Sequence, residues 1–174
     1  MTETSQDSRR RIVSSRHLAT EDGWPLSEYE YGLIMAFNGF SRWMTRCMTA
    51  AGNAGMNPLE ILVLHHVNHR DRQKRLTDIA FLLNIDDLHT VNYALKKLQK
   101  AGLVEGERRG KEMFYSTTQA GVELCDAYRE VRERCLVDSL KVMEFDHDDL
   151  TAVAALLRNL SGFYDQASRA AASL

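Results

Sequence analysis

Between Leu76 and Thr118 the chain gathers side chains that could do chemistry on a nucleic acid. His89, Thr90, Asn92, Tyr93, Lys96 and Lys97 follow one another closely, with Lys100 just beyond. These are hydrogen-bonding and cationic groups, the kinds that read base edges and grip phosphates. We take His89, Thr90, Asn92 and Tyr93 as candidate base readers, and the lysines as candidate phosphate contacts. Among them Val91, Ala94, Leu95 and Leu98 recur at helical spacing, so this segment should be a helix that buries one side and shows the other. Arg108, Arg109 and Lys111 then surround Gly110 at the expected tip of a hairpin. An ordinary solvated helix has a similar polar face. The basic hairpin beside it shifts the reading to DNA.

The neighbouring elements must hold that helix in place. A short helix precedes it, with Thr77 as the expected cap and Ile79, Ala80, Leu82 and Leu83 as its apolar side. Asn84 suits a left-handed residue at the break, and Asp86 or Asp87 can cap the next helix. Gly102 ends that helix. Helix, break, helix and basic hairpin together make a winged helix, in which one helix can enter a groove while the hairpin touches the backbone beside it.

The stretches N-P-L-E-I-L-V-L-H-H-V from Asn57, L-T-D-I-A-F-L-L from Leu76, T-V-N-Y-A-L-K-K-L-Q-K-A-G-L-V from Thr90 and T-T-Q-A-G from Thr117 resemble the MarR family of bacterial transcription regulators. With the long helices on either side, the likeness runs from 27 to about 170. It implies that the helix over 88–101 lies in the major groove, that the hairpin reaches the minor groove, and that the flanking helices build a dimer. It also implies an effector pocket, for which Tyr29, Phe40 and Trp43 could supply aromatic walls; a packed helical core would explain these residues equally well. The chain departs from the family in three places. Its wing has only R-R-G-K where an Asp-x-Arg pair is usual. Tyr93 stands where Arg is common. Asp86 and Asp87 put two negative charges near the DNA end of the helix.

Composition sets the outer bounds. The chain has 174 residues, 22 basic and 24 acidic, for a net charge of −2. Residues 57–118 carry ten basic and eight acidic groups, net +2, and residues 119–174 carry six and ten, net −4. This asymmetry permits DNA binding without indicating it. Cys47, Cys125 and Cys135 are an odd, widely spaced set, read as buried hydrophobes rather than a disulfide framework. His65 and His69 sit four apart on one helix but lack the partners of a metal motif, so no metal or cofactor is expected. No phosphate-cradling glycine loop or nucleophile elbow is present, so an enzyme is not expected. Without a run of about 18 apolar residues, no membrane span is expected. A cytoplasmic location is.

The expected fold is mainly α with a small β-hairpin wing: a winged helix-turn-helix unit flanked by long dimerisation helices. Residues 1–24 read as a flexible arm whose Arg9, Arg10, Arg11 and Arg16 could reach phosphates. Residues 25–56 and 119–174 read as the dimerisation region, and 57–118 as the DNA-binding unit. Pro25 and a capping box from Ser27 to Glu30 should open the first long helix, and Asn57-Pro58-Leu59-Glu60 the second. Tyr29, Leu33, Phe37, Phe40, Met44 and Cys47 form an apolar stripe broader than one chain needs. Leu150, Val153, Leu157, Leu160 and Tyr164 repeat by three and four, a seam suited to packing between subunits or within one. The functional expectation is a homodimeric, sequence-specific transcription regulator that binds double-stranded DNA and answers to a small-molecule effector. The alternative is a winged helix used only for protein association.

Overall fold

The computed structural model describes residues 14–15, 17–18, 20, 22–142 and 146–174. Arg9, Arg10, Arg11 and Arg16 of the expected arm lie outside the described residues. The chain divides into two units, residues 1–128 and 129–174.

The first unit opens with α1 (Trp24–Ala50). The Ser27 capping box does not form. The helix starts earlier, with Gly23 at the cap and Pro25 in the first turn, and Ser27 is buried within it. Proline suits a first turn because the amide it lacks has no partner there anyway. α2 (Pro58–Asn68) starts as its sequence indicates. The Asn57 side chain accepts from the Glu60 N–H at 2.9 Å, and the Glu60 carboxylate accepts from the Asn57 N–H at 3.2 Å. Ile61, Val63, Leu64 and Val67 are all buried, so α2 is the central helix of the core.

Strand β1 (Lys74–Arg75) leads directly into α3 (Leu76–Leu83). Thr77 is not its cap. Arg75 occupies that position, and the Asp78 carboxylate reaches back to accept the Arg75 N–H at 3.1 Å. Pairing of β1 with β3 holds Lys74 and Arg75 extended, so the helix begins at the strand's end and Thr77 falls inside it. Asn84 ends α3 in the left-handed region, with φ 53°. Asp87 then caps α4 (Leu88–Lys100), accepting from the His89 N–H at 2.9 Å. At the other end of α4, Gly102 takes φ 71°, a conformation that side-chain-bearing residues resist. The Gly102 N–H donates to the Gln99 carbonyl and the Leu103 N–H to that of Leu98, so the orphan carbonyls of the last turn are satisfied.

Strands β2 (Val104–Arg109) and β3 (Glu112–Thr117) form the hairpin, with Arg109 opposite Glu112 and Val104 opposite Thr117. Sheet order is β1-β3-β2, all antiparallel. Buried Lys74 anchors the sheet to α2, its ammonium donating to the carbonyls of Val67, His69 and Arg72. This places a cation on the negative end of α2. Thr118 caps α5 (Gln119–Arg132) by accepting from the Gly121 N–H at 3.1 Å.

The second unit begins in the last turn of α5 and continues through a π turn (Glu133–Val137) into α6 (Asp138–Val142). Asp146 caps α7 (His147–Ala171), accepting from the Asp148 N–H at 2.9 Å. Leu150, Val153 and Leu157 of the expected seam are exposed on α7, and Leu160 and Tyr164 are half-buried. No described helix is long and apolar enough to cross a membrane.

Candidate nucleic-acid interface

Val91, Ala94, Leu95 and Leu98 are all buried, which fixes how α4 is rotated. At about 100° per residue, the direction opposite them is occupied by His89, Tyr93, Lys96 and Lys100. All four are exposed, and Tyr93 retains 65% of its surface. This stripe of two rings and two ammonium groups is the outward face of α4.

The other candidates on α4 lie to the side of that stripe. Asn92 is half-buried on one flank rather than pointing straight out. Thr90 is exposed but occupied: its hydroxyl donates to the Asp87 carboxylate at 2.7 Å. That bond, with the His89 backbone N–H, holds the Asp87 carboxyl below its usual range and keeps its charge on the cap. Lys97 forms an ion pair with buried Glu60 of α2. Its ammonium also lies 6.0 Å from the centre of the Tyr93 ring. The Glu60 carboxylate raises the proton affinity of Lys97.

The wing tip forms as its residues indicate, with Gly110 at φ 63° in the two-residue turn. Arg108, Arg109 and Lys111 are exposed there. Arg109 donates to Glu107 at 2.6 Å and lies 5.4 Å from the centre of the Phe114 ring. The Arg108 Nε donates to the Gly110 carbonyl at 3.3 Å, which tightens the turn. The hairpin also carries Glu105, Glu107 and Glu112, so its three cations are matched by three acids and only the tip is positive. Two wing contacts were not legible in the sequence: Gln73 donates to Glu107 at 3.0 Å, and Arg75 pairs with Glu112 at 3.0 Å. They span 34 and 37 residues and tie the hairpin to the strand before α3.

The remaining candidates fall elsewhere. Tyr29 and Phe40 lie on α1 with a rise of about 16 Å between them, too far to wall one small cavity by themselves. Phe40 is exposed, and Trp43 is half-buried beside it. His65 packs edge-on against Tyr128 with ring centres 4.5 Å apart, while His69 stands exposed beyond the end of α2. No group of three metal-ligating side chains comes together among the described residues. Cys47 and Cys125 are buried and Cys135 is exposed. Burial pushes the Cys125 thiol up to about 11.

A polar-faced helix, preceded by a capped break and flanked by a hairpin with a basic tip, is thus assembled on one core. Residues 56–121 match the winged helix DNA-binding domain family. Residues 56–121 have a winged-helix fold. A search of curated proteins finds no match to the sequence. Solved structures extend the likeness beyond the winged helix. A MarR family transcription regulator shares 16% identity over 87% of this chain and 97% of its own, with a TM-score of 0.64. Staphylococcus aureus MarR, in complex with salicylate and kanamycin, shares 13% over 86% of this chain and 98% of its own, also at 0.64. An E. coli MarR mutant complexed with operator DNA shares 15% over 75% and 91%, at 0.62. At these identities the likeness is one of fold.

Proposed function

We propose that the protein is a homodimeric, sequence-specific transcription regulator of the MarR family that binds duplex DNA. The observation that carries this reading is the exposed stripe His89, Tyr93, Lys96 and Lys100 on α4, set beside the basic tip 108–111. The stripe would enter a major groove, and Arg108, Arg109 and Lys111 would meet the backbone alongside. Two copies related by a two-fold axis would read half-sites about one helical turn apart. The fold shared with an operator-bound MarR supports the choice of partner.

Dimerisation is supported by apolar surface on each unit. On α1, Leu33, Ile34, Phe37 and Phe40 are exposed; on α7, Leu150, Val153, Leu156, Leu157 and Phe163 are. Soluble chains rarely leave such runs uncovered. Residues 25–56 and 119–174 are accordingly assigned to dimerisation and 57–118 to DNA. A small-molecule effector is supported by the salicylate-bound relative. Since Tyr29 is set apart along α1, Phe40 and Trp43 are the better wall for such a ligand. Acting on DNA, the protein would work in the cytoplasm and not as an enzyme.

The test is selection of bound sequences from a random duplex library, followed by salt titration. The reading expects a selected site bound at least about a thousandfold more tightly than random duplex. Its log–log salt slope should be about −0.9 per phosphate neutralised. Tyr93→Ala should reduce affinity for the selected site more than for random DNA. Equal affinity for selected and random duplex would overturn the reading and favour a winged helix used for protein association.

A further inference from the structure

Lys97 stands on the recognition helix, where a cation would ordinarily be counted as a phosphate contact. Its surroundings argue otherwise. Glu60 is buried to 3% exposure between α2 and α4. Its carboxylate accepts from the Asn57 backbone N–H at 3.2 Å and the Asn57 amide Nδ2 at 2.9 Å. It also pairs with the Lys97 ammonium. A carboxylate withdrawn from water needs that cation, because an unpaired buried charge is strongly unfavourable. Moving Lys97 to a phosphate would strip Glu60 of its only ionic partner among the described residues. The Lys97 side chain is also where Tyr93 rests, with the ammonium 6.0 Å from the ring centre. Tyr93 is in the outward stripe, and Lys97 is one helical turn further along, so Lys97 flanks the ring.

We infer that Glu60 and Lys97 are positioning residues for DNA reading: the pair locks α4 onto α2 and sets the Tyr93 ring, while Lys97 itself neutralises no phosphate. This rests on the DNA-binding reading above. A phosphate ligand contributes to affinity for every sequence and to the salt slope. A positioning residue contributes to the preference for one sequence over another and leaves the slope alone. The two roles therefore separate in a single set of titrations.

The experiment measures affinity for the library-selected duplex and for random duplex across a salt series. It compares wild type, Lys97→Met, Lys97→Arg, Glu60→Gln and the double variant Glu60→Gln/Lys97→Met. Glu60→Gln keeps an acceptor for the α2 cap but removes the charge. The double variant leaves no unpaired buried carboxylate, so it keeps the test open if Lys97→Met folds poorly. The expected result is at least a tenfold fall in the ratio of selected to random affinity for Glu60→Gln and for the double variant. Their salt slopes should be no shallower than that of wild type, and Lys97→Arg should restore most of the ratio. A slope shallower by about 0.9 per subunit in the double variant would make Lys97 a phosphate ligand and overturn the inference. So would an unchanged ratio in a wild type that does select a duplex. A wild type that selects no duplex would instead fail the DNA-binding reading. In that case the non-additivity of thermal unfolding across the Glu60 and Lys97 variants would still report whether the pair couples α2 to α4.

Discussion

At the residue scale, the informative groups are those whose chemistry is taken up inside the fold. His65 is one. Burial, then the nearby charge of His66, lowers its proton affinity below the ordinary value of 6.5. Its Nε2 is buried without a hydrogen-bond partner among the described residues. The neutral ring is therefore the form that packs on Tyr128. The unfolded chain binds this proton more readily than the folded one, so His65 contributes stability above about pH 6.5 that is lost as pH falls through the lowered folded value. Urea unfolding at pH 7.5 and at pH 5.5 should show the protein less stable at the lower pH. His65→Phe, which keeps a ring against Tyr128, should reduce that difference. An unchanged difference would place the titration elsewhere. Carboxylates held below their usual range, such as Asp78 and Asp87, lose their contribution only at more acidic pH and do not obscure this window. Residue type does not report such partners: the Thr90 hydroxyl donates to Asp87, and Lys97 pairs with Glu60.

At the scale of elements, the position of α5 against the winged domain depends on one glycine. A Cβ on Gly121 would stand 2.1 Å from the Leu103 carbonyl oxygen, a backbone atom that cannot swing aside. Gly121→Ala should force α5 away from the start of β2 and cost about 1–3 kcal/mol, read as a lower urea midpoint. A midpoint equal to that of wild type would show that the approach is not tight. The wing is an element whose charge is largely spent internally, since Arg109 is paired with Glu107 and lies over Phe114. Lys111→Ala and Arg108→Ala together should weaken binding to selected and random duplex alike and flatten the salt slope by up to about 0.9 for each phosphate left unneutralised. Adding Arg109→Ala should change the slope less than either of these, because the Glu107 pair must be broken before Arg109 can reach a phosphate. Loss of preference without loss of slope would mean that the wing reads shape rather than charge.

At the scale of the whole molecule, exposed apolar side chains on α1 and α7 predict a dimer. Leu157→Asp with Leu160→Asp places two charges where an apolar interface would leave them unpartnered. Wild type should scatter light as a dimer at micromolar concentration. The double variant should scatter as a monomer, with its helical circular dichroism largely kept, since Leu157 is exposed and Leu160 only half-buried in the single chain. A wild-type monomer at that concentration would remove the two-fold arrangement from the proposed function.

The sequence by itself determined what is set within a turn or two of chain. The Asn57–Glu60 cap, the left-handed Asn84, a cap at Asp86 or Asp87, the stop at Gly102 and the turn at Gly110 were all legible, because each is satisfied by residues close by in sequence. The buried row Val91, Ala94, Leu95 and Leu98 was legible from its period. The two misplaced caps show where local reading stops. Thr77 lost its role to Arg75 and Asp78 because β1 pairs with a strand some forty residues further on. Ser27 lost its role because the helix begins before Pro25. Only the tertiary structure decided which cations are paired within the fold. Lys97 goes to Glu60, Lys74 to the end of α2 and Arg75 to Glu112, and no periodicity reveals these pairings. The physical reason is that a charge finds its partner through space, once packing of the core has brought distant segments within hydrogen-bond reach.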